Sequence, residues 1–183
     1  MFTKDLGNGF YIKEIEREEL WSIQDAHYDR IFANRASAKP TWVVSEDHQK
    51  KIQERNNEQK RWQLRLGLFH KDEAVGIGWH TGYAVDPETY YMQNSVVIEA
   101  YQKQGLYSEM LTVLLERLQQ EGFQVVTSTH HPNNAGILIP KLKQGFIITS
   151  TQFHERFRFL VEMKYFFNEN RRKAYAQAIG LDL

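Results

Sequence analysis

The sequence contains no cysteine. Disulfide frameworks, thiolate metal sites and cysteine nucleophiles are excluded together, and a chain without thiols fits a reducing compartment, most simply the cytoplasm. It has no excess of charge either, since 23 Lys and Arg stand against 23 Asp and Glu. Without a basic surplus there is no electrostatic footprint for a phosphate backbone or an anionic membrane, so neither nucleic acid nor a membrane is expected as partner. No stretch approaches the ~20 apolar residues that cross a bilayer, and residues 1–10 lack an apolar run behind a basic segment. Repeats, Ser/Gly linkers and breaks in composition are also missing. Disorder and low complexity are therefore out, and a single domain over residues 1–183 is expected.

Apolar residues make up 42% of the chain, enough for one well-buried core, and their period assigns the elements. Residues 9–15 read as a short strand. Leu20, Ile23, His27 and Ile31 recur at steps of three and four, the stripe of a helix. Ser45 precedes Glu46 and Asp47, a cap followed by acids, and a polar surface helix is expected from there to Lys60. Trp62, Leu64, Leu66 and Leu68 alternate, as do Val75, Ile77, Trp79, Thr81 and Tyr83, which predicts two long antiparallel strands joined by a tight turn. A third strand covers residues 90–98. Met110, Leu111, Leu114, Leu115 and Leu118 form a helical stripe that opens near Leu106 and stops at Gly122. A buried strand over 123–129 follows, then a helix capped by Asn133 or Asn134 and ended at Gly145. Two antiparallel strands over 146–153 and 157–167 precede a polar helix from Asn168. The fold class is α+β, a mostly antiparallel sheet of about seven strands with flanking helices. One strand–helix–strand crossover in it requires local parallel pairing.

The chemistry concentrates in residues 95–108, S-V-V-I-E-A-Y-Q-K-Q-G-L-Y-S. A strand enters a loop with one glycine and passes directly into an amphipathic helix, so the first helix amides have no internal partners. Such a turn binds anions. The N–H groups of Gln102, Lys103, Gln104, Gly105, Leu106, Tyr107 and Ser108, with the helix dipole behind them, would hold a pyrophosphate. Gly105 would admit the backbone and Lys103 would add charge. A plain structural turn is the competing reading.

The same stretch resembles the acetyl-CoA loop of the GNAT acetyltransferase superfamily, whose pattern is Arg or Gln, two residues, Gly, one residue, then Gly or Ala. Gln102 and Gly105 match, while Tyr107 stands where the family has a small residue. Val97 takes the place of an aliphatic residue on the family's fourth strand. Asn134 and the pair Gly145 and Phe146 fall at the spacing of its next segment, and the resemblance covers residues 61–167. It implies a splayed central sheet and direct transfer of acetyl from acetyl-CoA to a primary amine of a small-molecule or peptide acceptor, in one ternary complex. On that resemblance the backbone of Val96, Val97 and Ile98 bonds the pantetheine arm, an amide near Val97 polarises the thioester carbonyl, and Asn134 touches the cofactor arm.

The resemblance also marks departures. Positions where several family members carry acids hold Gln93 and Asn94, which cannot act as bases. The place of the family's thiolate-protonating tyrosine, five residues before Phe146, holds Lys141. Lys141 is a candidate proton donor whose plainer role is a solvated helix charge beside Pro140. Glu99, at the strand end beside the loop, either takes a proton through water or simply faces solvent. His130 is the third candidate. It and His131 follow a strand near the meeting point of acetyl and acceptor, and neighbours on an extended chain point apart, so at most one should face a given cleft. A loop histidine pair beside a helix cap is the plainer reading there. His80 is expected to be a structural edge-strand residue, and Tyr101 and Tyr107 to pack on the cofactor. No histidine and carboxylate set has zinc spacing, so no metal is expected. Phe153, Phe157 and Phe159 make the last hairpin sticky, an edge that invites a homodimer. The competing functions are a non-catalytic acyl-CoA-binding module, a β-rich interaction protein, and a nucleotide enzyme, for which the early glycine-rich loop is missing.

Overall fold

The structure, a computed structural model, describes residues 2–32, 44–58, 61–155 and 157–181. Strands β1 (Thr3–Gly7) and β2 (Phe10–Glu14) form an opening hairpin. Helices α1 (Arg17–Phe32) and α2 (Glu46–Glu58) come next. The meander then continues through β3 (Gln63–His70), β4 (Gly78–Ala84) and β5 (Thr89–Val97). Helix α3 (Leu106–Gln120) crosses to β6 (Val125–His130), and α4 (Ala135–Gln144) leads to β7 (Ile147–His154), β8 (Arg158–Phe166) and α5 (Glu169–Ala178). The strands make one sheet in the order β1-β2-β3-β4-β5-β6-β8-β7, parallel only between β5 and β6 among the described residues.

The mixed, mostly antiparallel architecture and its crossover are as expected, with eight strands in place of about seven. The additional one is β1, whose sequence TKDLG has too few apolar residues to show a period. Its turn does carry a signal: Gly7, Asn8 and Gly9 all lie at positive φ, a backbone that Gly and Asn adopt and other residues resist. The link between β3 and β4 is the loop 71–77 and not a tight turn, since β3 runs on past its last partner on β4, with Phe69 and His70 paired to Tyr11 and Phe10 of β2. Ser45 does cap α2, its hydroxyl accepting from the His48 amide at 3.4 Å. Lys60 and the side chain of Ile31 lie outside the described residues. No described helix is long and apolar enough to cross a membrane.

Period-2 alternation gives the sheet two apolar faces. Leu64, Leu66, Leu68, Tyr90 and Met92 pack under the leucine stripe of α3. Phe69 and Trp79 point the other way, under Leu20 and Ile23 of α1. The register slips once on β5. Thr81 faces Asn94 but Gly82 faces Met92, so Gln93 is an extra residue, a β-bulge that bends the strand and increases its twist. Opposite the bulge there is no space for a side chain, since a Cβ on Gly82 would overlap the Tyr90 hydroxyl and the Tyr91 carbonyl oxygen. Backbone cannot retreat as a side chain tip can. Gly82→Ala is expected to lower stability by about 1–3 kcal/mol, the range for overpacking, seen as a lower urea midpoint at unchanged m-value. An unchanged midpoint would show that β4 and β5 can part at this point.

Candidate active site

β5 is bonded to β4 as far as Val97, opposite Gly78, but to β6 only over residues 89–91, paired with 125–127. Past the bulge the two strands diverge, and β6 continues to His130 against β8 alone. The hydroxyls of Tyr91 and Thr129, 2.9 Å apart, are the last link across the gap. What opens is a cleft of about 360 Å³ whose walls include Asn94, Val96, Tyr107, His130, Asn134 and Lys141.

At the mouth of the cleft β5 passes into a 3-10 turn, Glu99–Tyr101, and then into α3. Gly105 occupies the N-cap at φ 82°, and no side chain caps the helix there. The first intrahelical bond runs from Glu109 N–H to the Gly105 carbonyl at 3.1 Å, so the amides of Leu106, Tyr107 and Ser108 precede it and point out of the helix. Gln102 has another task than the one expected. Its own amide is closed onto the Glu99 carbonyl (3.1 Å) and its side-chain amide donates to the Val97 carbonyl (2.9 Å), which ties strand to turn. Gln104 likewise turns its side chain back to the Ala100 carbonyl. The Gln102 amide is thus not open to a ligand. From this turn a groove of about 520 Å³ runs between α3 and α4, past Lys103, Gly105 and Ser108 to Ile139 and Pro140. Val97 borders it, whereas Val96 faces the cleft and Ile98 a small hollow on the α1 side. Tyr107, Asn134 and Ile137 line both groove and cleft, which makes them the junction. Asn134 is the N-cap residue of α4 but its side chain makes no cap bond. The Tyr107 hydroxyl is buried without a hydrogen-bond partner, and burial pushes its pKa up.

Lys141 is not a solvated helix charge. It is 0% exposed, with Nζ 2.6 Å from Ser128 Oγ, 3.0 Å from Met92 Sδ and 4.6 Å from the Phe146 ring centre. No carboxylate accompanies it, and burial holds its pKa well below the ordinary lysine value, which favours the neutral amine. The cause of the misplacement is helical geometry: Leu138 and Lys141, three apart, share the buried face of α4, while Ile139 and Leu142 are exposed. His130 joins the same cluster, Nε2 lying 3.0 Å from Ser128 Oγ. Burial, then Lys141, lowers its pKa to about 3, so the imidazole is neutral near pH 7. His131 borders the cleft as well, at the exposed rim. The two do not point strictly apart because β6 ends at His130 and strand alternation stops there. Glu99 is not brought to this cluster. It sits exposed in the 3-10 turn and lines the small hollow beside His27.

His80 was expected on an edge strand, yet β4 is central and the side chain is wholly buried. Its ring nitrogens meet Ser95 Oγ at 2.7 Å and the Tyr90 hydroxyl at 2.9 Å. Tyr101 donates its hydroxyl to Glu73, bracing the turn from the 71–77 loop. Ser128 and Met92 escaped the sequence reading altogether. Only the alternation of residues 125–130, which puts Ser128 in phase with Val126, hinted at the first.

Residues 18–146 match the acetyltransferase (GNAT) family. No curated protein matches the chain. Solved structures share the fold. Ribosomal-protein-S5-alanine acetyltransferase from Vibrio fischeri superposes with a TM-score of 0.66 at 9% identity, over 92% of this chain and 98% of that one. Spermidine N-acetyltransferase from Vibrio cholerae, in complex with CoA and spermine, gives 0.62 at 12% identity over 92% and 99%. IAA acetyltransferase from Bacillus cereus gives 0.61 at 18% identity over 86% and 99%. The chain belongs to the acetyltransferase (GNAT) family, and is thus an acyltransferase with acetyl-CoA as cosubstrate.

The neutral histidines make stability depend on pH. Below about 6.5 the unfolded chain protonates His80, whereas the folded chain keeps it neutral down to about 3. The unfolded state then binds more protons, so stability falls as pH drops through that window, by about 1.4 kcal/mol per unit at full separation. In His80→Gln the urea midpoint should fall less steeply between pH 6 and pH 4, by roughly one proton. Parallel slopes in the two proteins would mean that His80 is charged in the folded state.

Proposed function

We propose that this chain, as one acetyltransferase domain over residues 1–183, moves acetyl directly from acetyl-CoA to a primary amine within a ternary complex in the cytoplasm. The observation that carries the proposal is the continuity of groove and cleft through Tyr107, Asn134 and Ile137. The residues present suit the cosubstrate. The amides of Leu106, Tyr107 and Ser108, with Lys103, receive the diphosphate at the helix start. Val97 and the freed edge of β5 lie along the pantetheine arm. The buried Tyr107 hydroxyl, without a protein partner, stands where the groove enters the cleft, placed to donate to the sulfur or carbonyl of the thioester.

In the transfer the acceptor nitrogen bonds to the acetyl carbon, the carbon–sulfur bond breaks, and the amine's proton must leave as the thiolate gains one. His130, Ser128 and Lys141 form a continuous relay for it, with heavy-atom separations of 3.0 and 2.6 Å. The proton passes through the His130 imidazole and the Ser128 hydroxyl without resting on either, and the neutral Lys141 amine becomes the ammonium that serves the thiolate. Glu99, on the other hollow, has no step. Edge strand β7, with Phe153 at 73% exposure and Phe159 beside it on β8 at 46%, is where we infer that a second copy pairs. Sedimentation velocity reading a monomer at every concentration would remove that inference.

Gly105→Asp puts a fixed anion at the diphosphate site and forces a residue with a Cβ into φ 82°. CoA affinity by calorimetry should drop tenfold or more. Lys141→Met keeps the volume and removes the relay's end. Thiol release should fall about 100-fold, the low end for lost acid–base help, while CoA still binds. CoA binding without thiol release from any amine in the parent protein would instead support a non-catalytic acyl-CoA module.

A further inference from the structure

Behind Gln93 and Asn94, on the α1 face of the sheet, lies another hollow, of about 370 Å³, that shares these two residues with the cleft. α1 contributes Arg17 and Trp21 to its wall, β3 contributes Arg65, and β4 contributes Thr81 and Tyr83. Among the described residues no Asp or Glu lines either the hollow or the cleft. Among the described residues neither guanidinium has a carboxylate partner. Arg17 rests over the Trp21 ring at 5.1 Å and Arg65 donates to the Gln63 side chain. Arg61 adds a third positive charge at the rim, over the Tyr83 ring at 5.2 Å. Asn94 is fixed, because its Oδ1 accepts from Trp79 Nε1 at 3.1 Å, and its amide NH₂ remains free to donate.

This distribution of charge selects among amines. Two unpaired guanidiniums in a partly shielded hollow repel a second ammonium, and no acidic wall is present to offset that repulsion. An oxyanion has the opposite fate, because the planar guanidinium fork matches a carboxylate or phosphate with paired hydrogen bonds. We propose that the acceptor is a primary amine that also carries a carboxylate or phosphate. The oxyanion sits between Arg17 and Arg65, and the amine passes Gln93 and Asn94 into the cleft. The assignment rests on the transferase reading above and names the acceptor class for it.

The test is the initial rate of thiol release from acetyl-CoA by the full chain. The amines are free amino acids, their carboxamides, aminoalkyl phosphates and polyamines. Oxyanion-bearing amines should exceed the carboxamides and polyamines tenfold or more in kcat/KM, and the amino acid and phosphate arms show which oxyanion fits. Arg65→Gln should cut the preference for the free acid over its carboxamide tenfold or more, chiefly through KM, and Arg65→Lys should restore part of it. Arg17 is exposed, so Arg17→Gln reports on the same site without risk to the core. Faster turnover of polyamines or carboxamides would overturn the acceptor class and leave the transfer intact. So would an arginine variant that lowers all amines equally. If no amine releases thiol, the transferase reading falls and the acceptor class with it.

Discussion

This sheet opens where one strand carries an extra residue. Gln93 is that residue, two places past Tyr91, the last residue of β5 paired with β6. β5 stays bonded to β4 through Val97 while its other edge leaves β6 after Tyr91. Gly82 is the counterpart on β4, because a side chain there would collide with the backbone that the bulge pushes toward it. The slip also changes which residues face which helix. Tyr90 and Met92 face α3 before the bulge and Val97 does so after it, while Asn94 turns toward Trp79 on the α1 side. The bulge thus lies at the opening and sets Gln93 and Asn94 between the two faces.

The polar groups beside the cleft obey a second constraint. A buried amine and two imidazoles within one cluster could not all hold protons, since each charge would lack water and repel the others. Their depressed pKa values express that exclusion, with burial as the larger cause for both histidines and a charge on Lys141, when it is protonated, as the smaller one. In the proposed transfer the bonds that link Ser128 to His130 and Lys141 give the proton a route. His80, bonded to Ser95 and Tyr90, takes no part in that route and serves as the rigid wall behind it.

Much of this was legible in the residues. The leucine stripe of α3 with its opening near Leu106 and the alternation along β3 and β4 follow from local period, which the chain carries in itself. The polar helix expected from Asn168 is also present as α5, and the structure adds that the Asn168 side chain caps it, accepting from the Arg171 amide. Features set by the rest of the fold were not legible. β1 is a strand because β2 offers it an edge, and its own sequence is polar. β8 lies between β6 and β7, a long-range choice that no local pattern records. Lys141 looked solvated because a lysine on a helix usually is, and only its phase with Leu138 argued otherwise. The bulge at Gln93 leaves no mark in the period of a strand whose aromatics, Tyr90 and Tyr91, precede it and whose Val96 and Val97 follow it.

The two amides at the crossing point then become intelligible through charge. An acid at position 93 or 94 would lie beside Arg65 across the β3, β4 and β5 registers, since Arg65 pairs with Thr81 and Thr81 with Asn94. It would neutralise the guanidinium that the proposed acceptor needs, and it would hold a proton acceptor on the α1 side of the sheet. With Gln93 and Asn94 in place the cationic field of the hollow stays uncancelled, and in the proposed transfer proton acceptance falls to His130 and the buried lysine across the opening. The proposed oxyanion site and the proposed proton route are then separated by the thickness of one strand. An acceptor with both an oxyanion and an amine has the shape to reach across it.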